Sequence, residues 1–265
     1  MQEYAEQWTP AGSTCGIAVM AKASAAGRTK TRLVPPLTFD EAAEFNTAFL
    51  KDVAHNIARA AELQSIDGYM AFGPPGSNAF FEAILPPSIG LLECWYPNFG
   101  DCLFDAITQL LGRGHASAVV LNADSPTLPT SLLAETAEVL AQPGDRAVLG
   151  PSTDGGYYLL GLKAPHRRMF QDVPWSTEHV ARQTLERAVE IGLDVHVLPV
   201  WYDVDDAEAL RMLRAELYEG WSFASGLEAH RALQTERLLR TLLSGSDLAR
   251  RLDGASAPSL VNAAE

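Results

Sequence analysis

Short apolar runs alternate with segments of helical periodicity over most of this 265-residue chain, and no other feature limits its fold as strongly. The runs that resemble strands lie at 15–20, 66–72, 89–95, 118–122, 146–150, 156–162 and 195–200. The spacing of apolar residues predicts helices over 38–57, 101–111, 129–141, 176–191 and 205–217. Strands that alternate with helices in this way predict an α/β fold with a mostly parallel sheet.

The chain divides into three predicted parts. Residues 1–14 form a flexible N-terminal tail, residues 15–218 form the α/β domain, and residues 219–265 form a helical extension with a frayed end. The extension contains one amphipathic pattern from Leu227 to Leu243, which predicts a single helix. Its leucine stripe suits packing on the core or a homodimer equally well.

Charge and composition exclude several classes of partner. The chain has 33 acidic and 20 basic residues and a net charge of −13, so a nucleic acid polymer is not expected to bind. It contains no apolar run long enough to span a membrane, and its first residues are too polar for a signal peptide, which predicts a cytoplasmic protein. Three cysteines without metal-ligand spacing predict free thiols.

A basic loop follows the first predicted strand. In open α/β sheets ligands bind beyond the carboxyl ends of strands, so this loop lies where a site is expected. Its glycine allows a close approach to a ligand, and its cations suit phosphate oxygens. We therefore predict nucleotide phosphate binding, with a merely solvated basic loop as the alternative. The residues assigned to this role are Lys22, Gly27, Arg28, Lys30, Thr31 and Arg32.

Acidic residues follow two further predicted strands. Asp124 stands directly after the run at 118–122, where a carboxylate is a natural ligand for Mg²⁺ or Mn²⁺. Asp203 and Asp205 belong to a second cluster, whose charges repel unless a cation or a helix N-terminus neutralises them. We predict that Asp124, Asp205 and Asp203 hold one metal ion. Turn and helix capping are the alternative roles.

Further residues are assigned to catalysis or substrate binding. Asp154 precedes two glycines that allow a tight turn, and it is predicted to position a substrate or to act as a base. Asp124 and Lys30 complete the predicted catalytic set. For the aromatic members of the substrate set, ordinary core packing is the alternative. The predicted substrate-binding residues are Asp101, Gly155, Gly156, Tyr157 and Trp175.

Taken in order, these motifs resemble a known family. The pattern from Met20-Ala-Lys22 through Trp175-Ser-Thr177 to Tyr202-Asp-Val-Asp205 is similar to the DUF2064 or CofC-like GT-A transferases. These are also described as radical-SAM/selenodomain-associated transferase 1 or arsenosugar-biosynthesis glycosyltransferases. The resemblance implies a nucleotide-diphospho-sugar transferase fold, a Rossmann-like α/β/α sandwich in which the basic loop contacts phosphates and Asp124 binds the metal. The chain departs from the family pattern at 96–103 and at Asn122, where substrate is expected.

Three functions are therefore weighed. The first is a metal-dependent glycosyltransferase that uses a nucleotide-sugar donor and a small-molecule acceptor. The second is a CofC-like nucleotidyltransferase, in which a phosphate or hydroxyl acceptor attacks a nucleoside triphosphate and pyrophosphate leaves. The number of cations in the loop favours this second reading. The third is a nucleotide-binding protein without catalytic activity.

Overall fold

A seven-stranded sheet forms the centre of the protein in a computed structural model that describes residues 12–254. The strand order is β3-β2-β1-β4-β6-β5-β7, and β6 is antiparallel to both of its neighbours while the other pairs are parallel. The predicted α/β fold with a mostly parallel sheet is confirmed. The strands are β1 (Cys15–Ala21), β2 (Ile66–Phe72), β3 (Gly90–Glu93), β4 (Ser117–Leu121), β5 (Arg146–Pro151), β6 (Tyr157–Leu162) and β7 (Asp194–Val197).

Helices cover both faces of this sheet. One apolar core joins the sheet to α1, α4 and α6, and a second core joins the opposite face to α3 and α5. The layers therefore form an α/β/α sandwich, as the resemblance implies. The helices are α1 (Phe39–Ala61), α2 (Asn78–Ile84), α3 (Phe99–Gly112), α4 (Thr130–Ala141), α5 (Val180–Glu190), α6 (Ala207–Tyr218), α7 (Leu233–Gly245) and α8 (Leu248–Gly254).

Capping residues explain where several helices begin. Thr38 and Glu41 form a reciprocal capping box at the start of α1, and the Asp206 carboxylate accepts from the backbone N–H of Ala209 at the start of α6. The predicted start of α5 at residue 176 is wrong. Ser176 has a left-handed backbone with φ of +64°, and the helix begins four residues later.

The C-terminal extension packs on the core through two helices instead of one. Residues 227–232 are not helical, and α7 and α8 are separated by a break at Ser246 and Asp247. Asp52 on α1 accepts from the backbone N–H groups of Gln234 and Thr235 in the first turn of α7, and Leu239 of α7 is fully buried in the core. The flexible tail and the frayed end were predicted mainly for residues outside the described range. No helix within residues 12–254 has the length and apolar composition needed to cross a membrane.

Candidate nucleotide and metal site

A cleft of about 660 Å³ opens at the carboxyl edge of the sheet. The cleft is lined by residues at the ends of β1, β2 and β4, in the segment that follows β3, and at the start of the antiparallel β6. Parallel strands all end at the same edge of a sheet, so the residues that follow them lie at this edge. The cleft therefore occupies the place where open α/β sheets bind their ligands.

The basic loop contributes most of one wall. Lys22, Arg28, Lys30, Thr31 and Arg32 all line the cleft. Lys22 and Arg28 are exposed, and neither has a carboxylate partner among the residues that the structure describes. These two cations are thus available to an anionic ligand.

Gly27 takes a left-handed backbone conformation in the same loop, with φ of +72°. This conformation favours glycine and turns the chain before Arg28. Gly27 does not itself line the cleft. Its assigned role in ligand approach stays a prediction.

Lys30 is the buried member of the loop. Its Nζ lies 2.7 Å from Asp124 Oδ1, 2.9 Å from Asp205 Oδ1 and 2.8 Å from the carbonyl oxygen of Val204. Only 4% of the side chain is exposed. The ammonium group lies 5.0 Å from the centre of the Phe49 ring, a cation–π contact. Lys30 therefore joins the two acidic motifs that the sequence places 81 residues apart.

Backbone hydrogen bonds hold those two motifs beside each other. The N–H of Val204 donates to the carbonyl of Asp124 at 2.8 Å, and the Ser125 hydroxyl donates to the carbonyl of Tyr202 at 2.9 Å. The hydroxyls of Thr127 and Tyr202 lie 3.1 Å apart. Asp124 and Asp205 consequently approach one point from two loops.

Burial and mutual charge set the protonation of this cluster. Burial alone would lower the pKa of Lys30, but the charges of Asp124 and Asp205 outweigh it and hold that pKa above its ordinary value. Burial would raise the pKa of Asp205, yet Lys30 and Arg32 hold it below its usual range. Within residues 12–254 Asp203 has no cationic partner, and burial together with Asp154, Asp205 and Asp124 raises its pKa to about 7.

The oxygens of Asp124 and Asp205 fit a divalent cation by their chemistry. Mg²⁺ is commonly held by one or two carboxylates while substrate phosphates and water supply the other ligands. Within residues 12–254, no group of three or more His, Cys, Asp and Glu side chains is arranged to hold a metal ion. Asp203 is not among the residues that line the cleft. The three-carboxylate metal site stays a prediction.

The Asp154 turn is held by its own hydrogen bonds. Asp154 Oδ1 accepts from the Ser152 hydroxyl at 2.5 Å and from the N–H of Gly156 at 2.8 Å. Gly155 has φ of +86°, and a Cβ there would lie 2.1 Å from the backbone oxygen of Glu178. The close approach that this glycine permits is therefore to the protein chain. Asp154, Gly155 and Gly156 do not line the cleft.

The remaining predicted substrate residues are placed differently from one another. Tyr157 lines the cleft, and its ring packs edge-on against Trp175 with 6.5 Å between centres. Trp175 itself packs against the ring of Phe99 at 5.6 Å and does not line the cleft. Asp101 pairs with Arg167 at 3.1 Å, also away from the cleft wall. Substrate contacts by these residues stay predictions.

Two aromatic residues that sequence reasoning missed also line the cleft. Trp95 is 56% exposed and Phe99 is 49% exposed, although both are large and apolar. Trp95 follows β3, and Phe99 begins α3. Trp95 ends the predicted strand at 89–95, and the sequence alone does not show that its ring is exposed in a cleft.

Comparison with known proteins supports the resemblance and the fold. Residues 56–177 match the family model described as "Uncharacterized protein conserved in bacteria (DUF2064)". The resemblance to DUF2064 is thus confirmed over that segment. No curated protein matches the chain.

Solved structures have the same fold. A proposed nucleotide-diphospho-sugar transferase from Desulfovibrio desulfuricans G20 is 25% identical with a TM-score of 0.74, and the match covers 90% of this chain and 97% of that one. A cytidylyltransferase from Leptospira borgpetersenii serovar Hardjo-bovis is 10% identical with a TM-score of 0.52, over 92% and 98%. CMP:2-keto-3-deoxy-manno-octonic acid synthetase, solved with CTP, is 12% identical with a TM-score of 0.50, over 78% and 100%. The predicted nucleotide-diphospho-sugar transferase fold is confirmed.

Proposed function

We propose that this protein is a metal-dependent glycosyltransferase that uses a nucleotide-sugar donor. The observation that carries the proposal is the cleft itself, which is lined both by exposed Lys22 and Arg28 and by the cluster of Asp124, Asp205 and Lys30. Cations that lack partners suit the diphosphate of a donor, and the paired carboxylates suit its metal ion. The 25%-identical proposed nucleotide-diphospho-sugar transferase supports the same class of substrate.

Different residues of the cleft are proposed to bind the phosphates and the metal ion. Lys22, Arg28 and Arg32 bind and orient the phosphates, and Asp124 with Asp205 would hold Mg²⁺ or Mn²⁺. The bound metal supplies Lewis-acid stabilisation of the charge that develops on the leaving diphosphate. The cations of the loop would stabilise that same charge, because they line the same cleft as the two carboxylates.

The open aromatic faces of Trp95 and Phe99 are proposed to bind the nucleobase. Stacking of a base on an aromatic side chain contributes about 1–3 kcal/mol. Trp95→Ala is therefore expected to weaken nucleotide binding by about fivefold or more, while Trp95→Phe keeps most of the affinity. Calorimetric titration with the nucleotide measures both variants. Equal nucleotide affinity of Trp95→Ala and the unaltered protein would contradict stacking of the nucleobase on Trp95.

A nucleotidyltransferase is the second candidate. Four loop cations line the cleft, which is more than a diphosphate needs once a metal ion is bound. Two structures of the same fold are a cytidylyltransferase and a synthetase solved with CTP. In this reaction the acceptor attacks the α-phosphate and pyrophosphate leaves.

The products separate the two candidates. The purified protein is incubated with Mn²⁺ and either nucleotide-sugars or nucleoside triphosphates, and phosphorus NMR identifies the phosphate released. A glycosyltransferase releases nucleoside diphosphate from the sugar donor and leaves triphosphates intact. Water can take the place of the unidentified acceptor, so slow hydrolysis of the donor is sufficient for this test. Release of pyrophosphate from a triphosphate would instead establish nucleotidyl transfer. Metal-independent nucleotide binding without turnover, unchanged by Asp124→Asn, would contradict both enzymes.

A further inference from the structure

The ammonium group of Lys30 has its full set of acceptors inside the protein. Its three N–H bonds have three partners, namely Asp124 Oδ1, Asp205 Oδ1 and the carbonyl of Val204, all within 2.9 Å. An ammonium group offers three donors. In this arrangement Lys30 can bind a phosphate only after it releases one of these partners.

A metal ion at this place would compete with Lys30 for the same two carboxylates. A divalent cation held by Asp124 and Asp205 would need at least one oxygen of each carboxylate. The ammonium of Lys30 stands between those two carboxylates, 2.7 Å and 2.9 Å from them. Because two cations repel each other and would compete for the same pair of carboxylates, the metal ion and Lys30 exclude each other at this position.

A free metal ion would therefore leave a buried charge behind. If it took both carboxylates, Lys30 would keep only the carbonyl of Val204, and its side chain is 4% exposed. An unpaired buried ammonium is strongly unfavourable. A nucleotide removes this penalty, because its phosphate oxygens accept from the displaced ammonium.

The rest of the loop can bring that phosphate to Lys30. Lys22 and Arg28 lie on the same wall of the cleft, are exposed, and have no carboxylate partner in the described part of the chain. A phosphate attracted by these two cations arrives beside Lys30. The flexible four-carbon side chain of lysine can then change partners.

Resting on the proposed function, we propose that Lys30 is the resident counter-cation of Asp124 and Asp205 and prevents free divalent cations from binding there. Lys30 yields the two carboxylates only when a nucleotide accompanies the metal, and it then donates to the phosphates. Metal binding by this protein is accordingly conditional on nucleotide.

Titration of the nucleotide-free protein with Mn²⁺, followed by electron paramagnetic resonance, tests the proposal. We expect Lys30→Met to bind free Mn²⁺ at least about tenfold more tightly than the unaltered protein. Lys22→Met is the matched control, since it removes one positive charge from the same cleft without freeing a carboxylate, and its affinity is expected to change far less. Equal Mn²⁺ affinity of Lys30→Met and the unaltered protein would overturn the proposal.

A second measurement needs no variant. The unaltered protein is titrated with Mn²⁺ in the presence and absence of UDP, and the complex of Mn²⁺ with UDP alone is subtracted. We expect protein-bound Mn²⁺ only with UDP, and tight binding of free Mn²⁺ would contradict the exclusion by Lys30.

The two proposals can fail separately. One outcome is that Lys30→Met gains binding of free Mn²⁺ while neither this variant nor the unaltered protein binds nucleotide. This outcome would support exclusion of free metal by Lys30 and reject the proposed transferase function. Nucleotide binding that requires Mn²⁺, together with no gain in Lys30→Met, would uphold the transferase and reject the exclusion.

Discussion

Replacing Lys30 with methionine should destabilise the folded protein strongly. Methionine fills a similar volume but leaves Asp124 and Asp205 without the cation that now lies 2.7 Å and 2.9 Å away. Removing one partner of a buried ion pair typically costs 3–5 kcal/mol, because a charge is left uncompensated. The two carboxylate side chains are 34% and 28% exposed, so water at the cleft screens part of this cost. We therefore expect a loss at the lower end, about 3 kcal/mol.

Urea unfolding followed by tryptophan fluorescence, in EDTA at pH 7, measures this loss. Arg32→Met is the matched control, since Arg32 also contacts Asp205 but at 3.4 Å and with 69% of its side chain exposed. An exposed pair of this kind contributes less than about 1 kcal/mol. Adding Asp205→Asn to Lys30→Met should recover part of the loss, because one uncompensated charge disappears.

The pH dependence gives an independent check. Without Lys30 the pKa values of both carboxylates rise, so protonation relieves their repulsion as the pH falls toward 5. The difference in unfolding free energy between Lys30→Met and the unaltered protein should consequently shrink at acid pH. Equal losses for Lys30→Met and Arg32→Met, or a loss that does not depend on pH, would refute this account of the ion cluster.

Two other predictions concern the surrounding fold. Burial first, and then the charges of His55 and Arg59, lower the pKa of His230 from 6.5 to about 4, so the folded state binds this proton less readily than the unfolded state. Stability should therefore fall between pH 6.5 and pH 4, by up to about 3 kcal/mol, and His230→Gln should flatten this part of a urea-measured pH profile. Gly155→Ala should cost at least about 2 kcal/mol in thermal unfolding, because its Cβ would meet the backbone of Glu178, whereas Gly245→Ala, with open space around it, should change stability by less than about 1 kcal/mol. A pH profile unchanged in His230→Gln, or equal melting temperatures for the two alanine variants, would contradict these assignments.

The elements with strong periodicity were predictable from the sequence. The strand at 66–72 matches β2 from end to end, and the helices predicted from residues 38 and 205 begin within two residues of α1 and α6. The prediction of one helix from Leu227 to Leu243 placed its start too early, since residues 227–232 are not helical and α7 begins only at Leu233. Amphipathic spacing shows which face is apolar but not where the backbone hydrogen bonds begin.

The site was predictable in its parts but not in its arrangement. Strand order brings Asp124 to the carboxyl edge, and the sequence alone places it directly after a strand. Nothing in the residue pattern shows that Lys30 is buried, because lysines are nearly always exposed unless they are paired. The partners of Lys30 lie 94 and 175 residues further along the chain, so only the fold reveals the pairing. The same limit hid Trp95 and Phe99, whose use depends on the shape of the cleft.

The central claim, that the cleft binds a metal-chelated nucleotide, is tested most directly by calorimetric titration with UDP and with CTP. Each titration is made with Mn²⁺ and then with EDTA, on the unaltered protein and on Asp124→Asn. We predict binding of at least one nucleotide that requires Mn²⁺ and that weakens by at least about tenfold in Asp124→Asn. Binding that is equally strong in EDTA, or unchanged in Asp124→Asn, would contradict the claim.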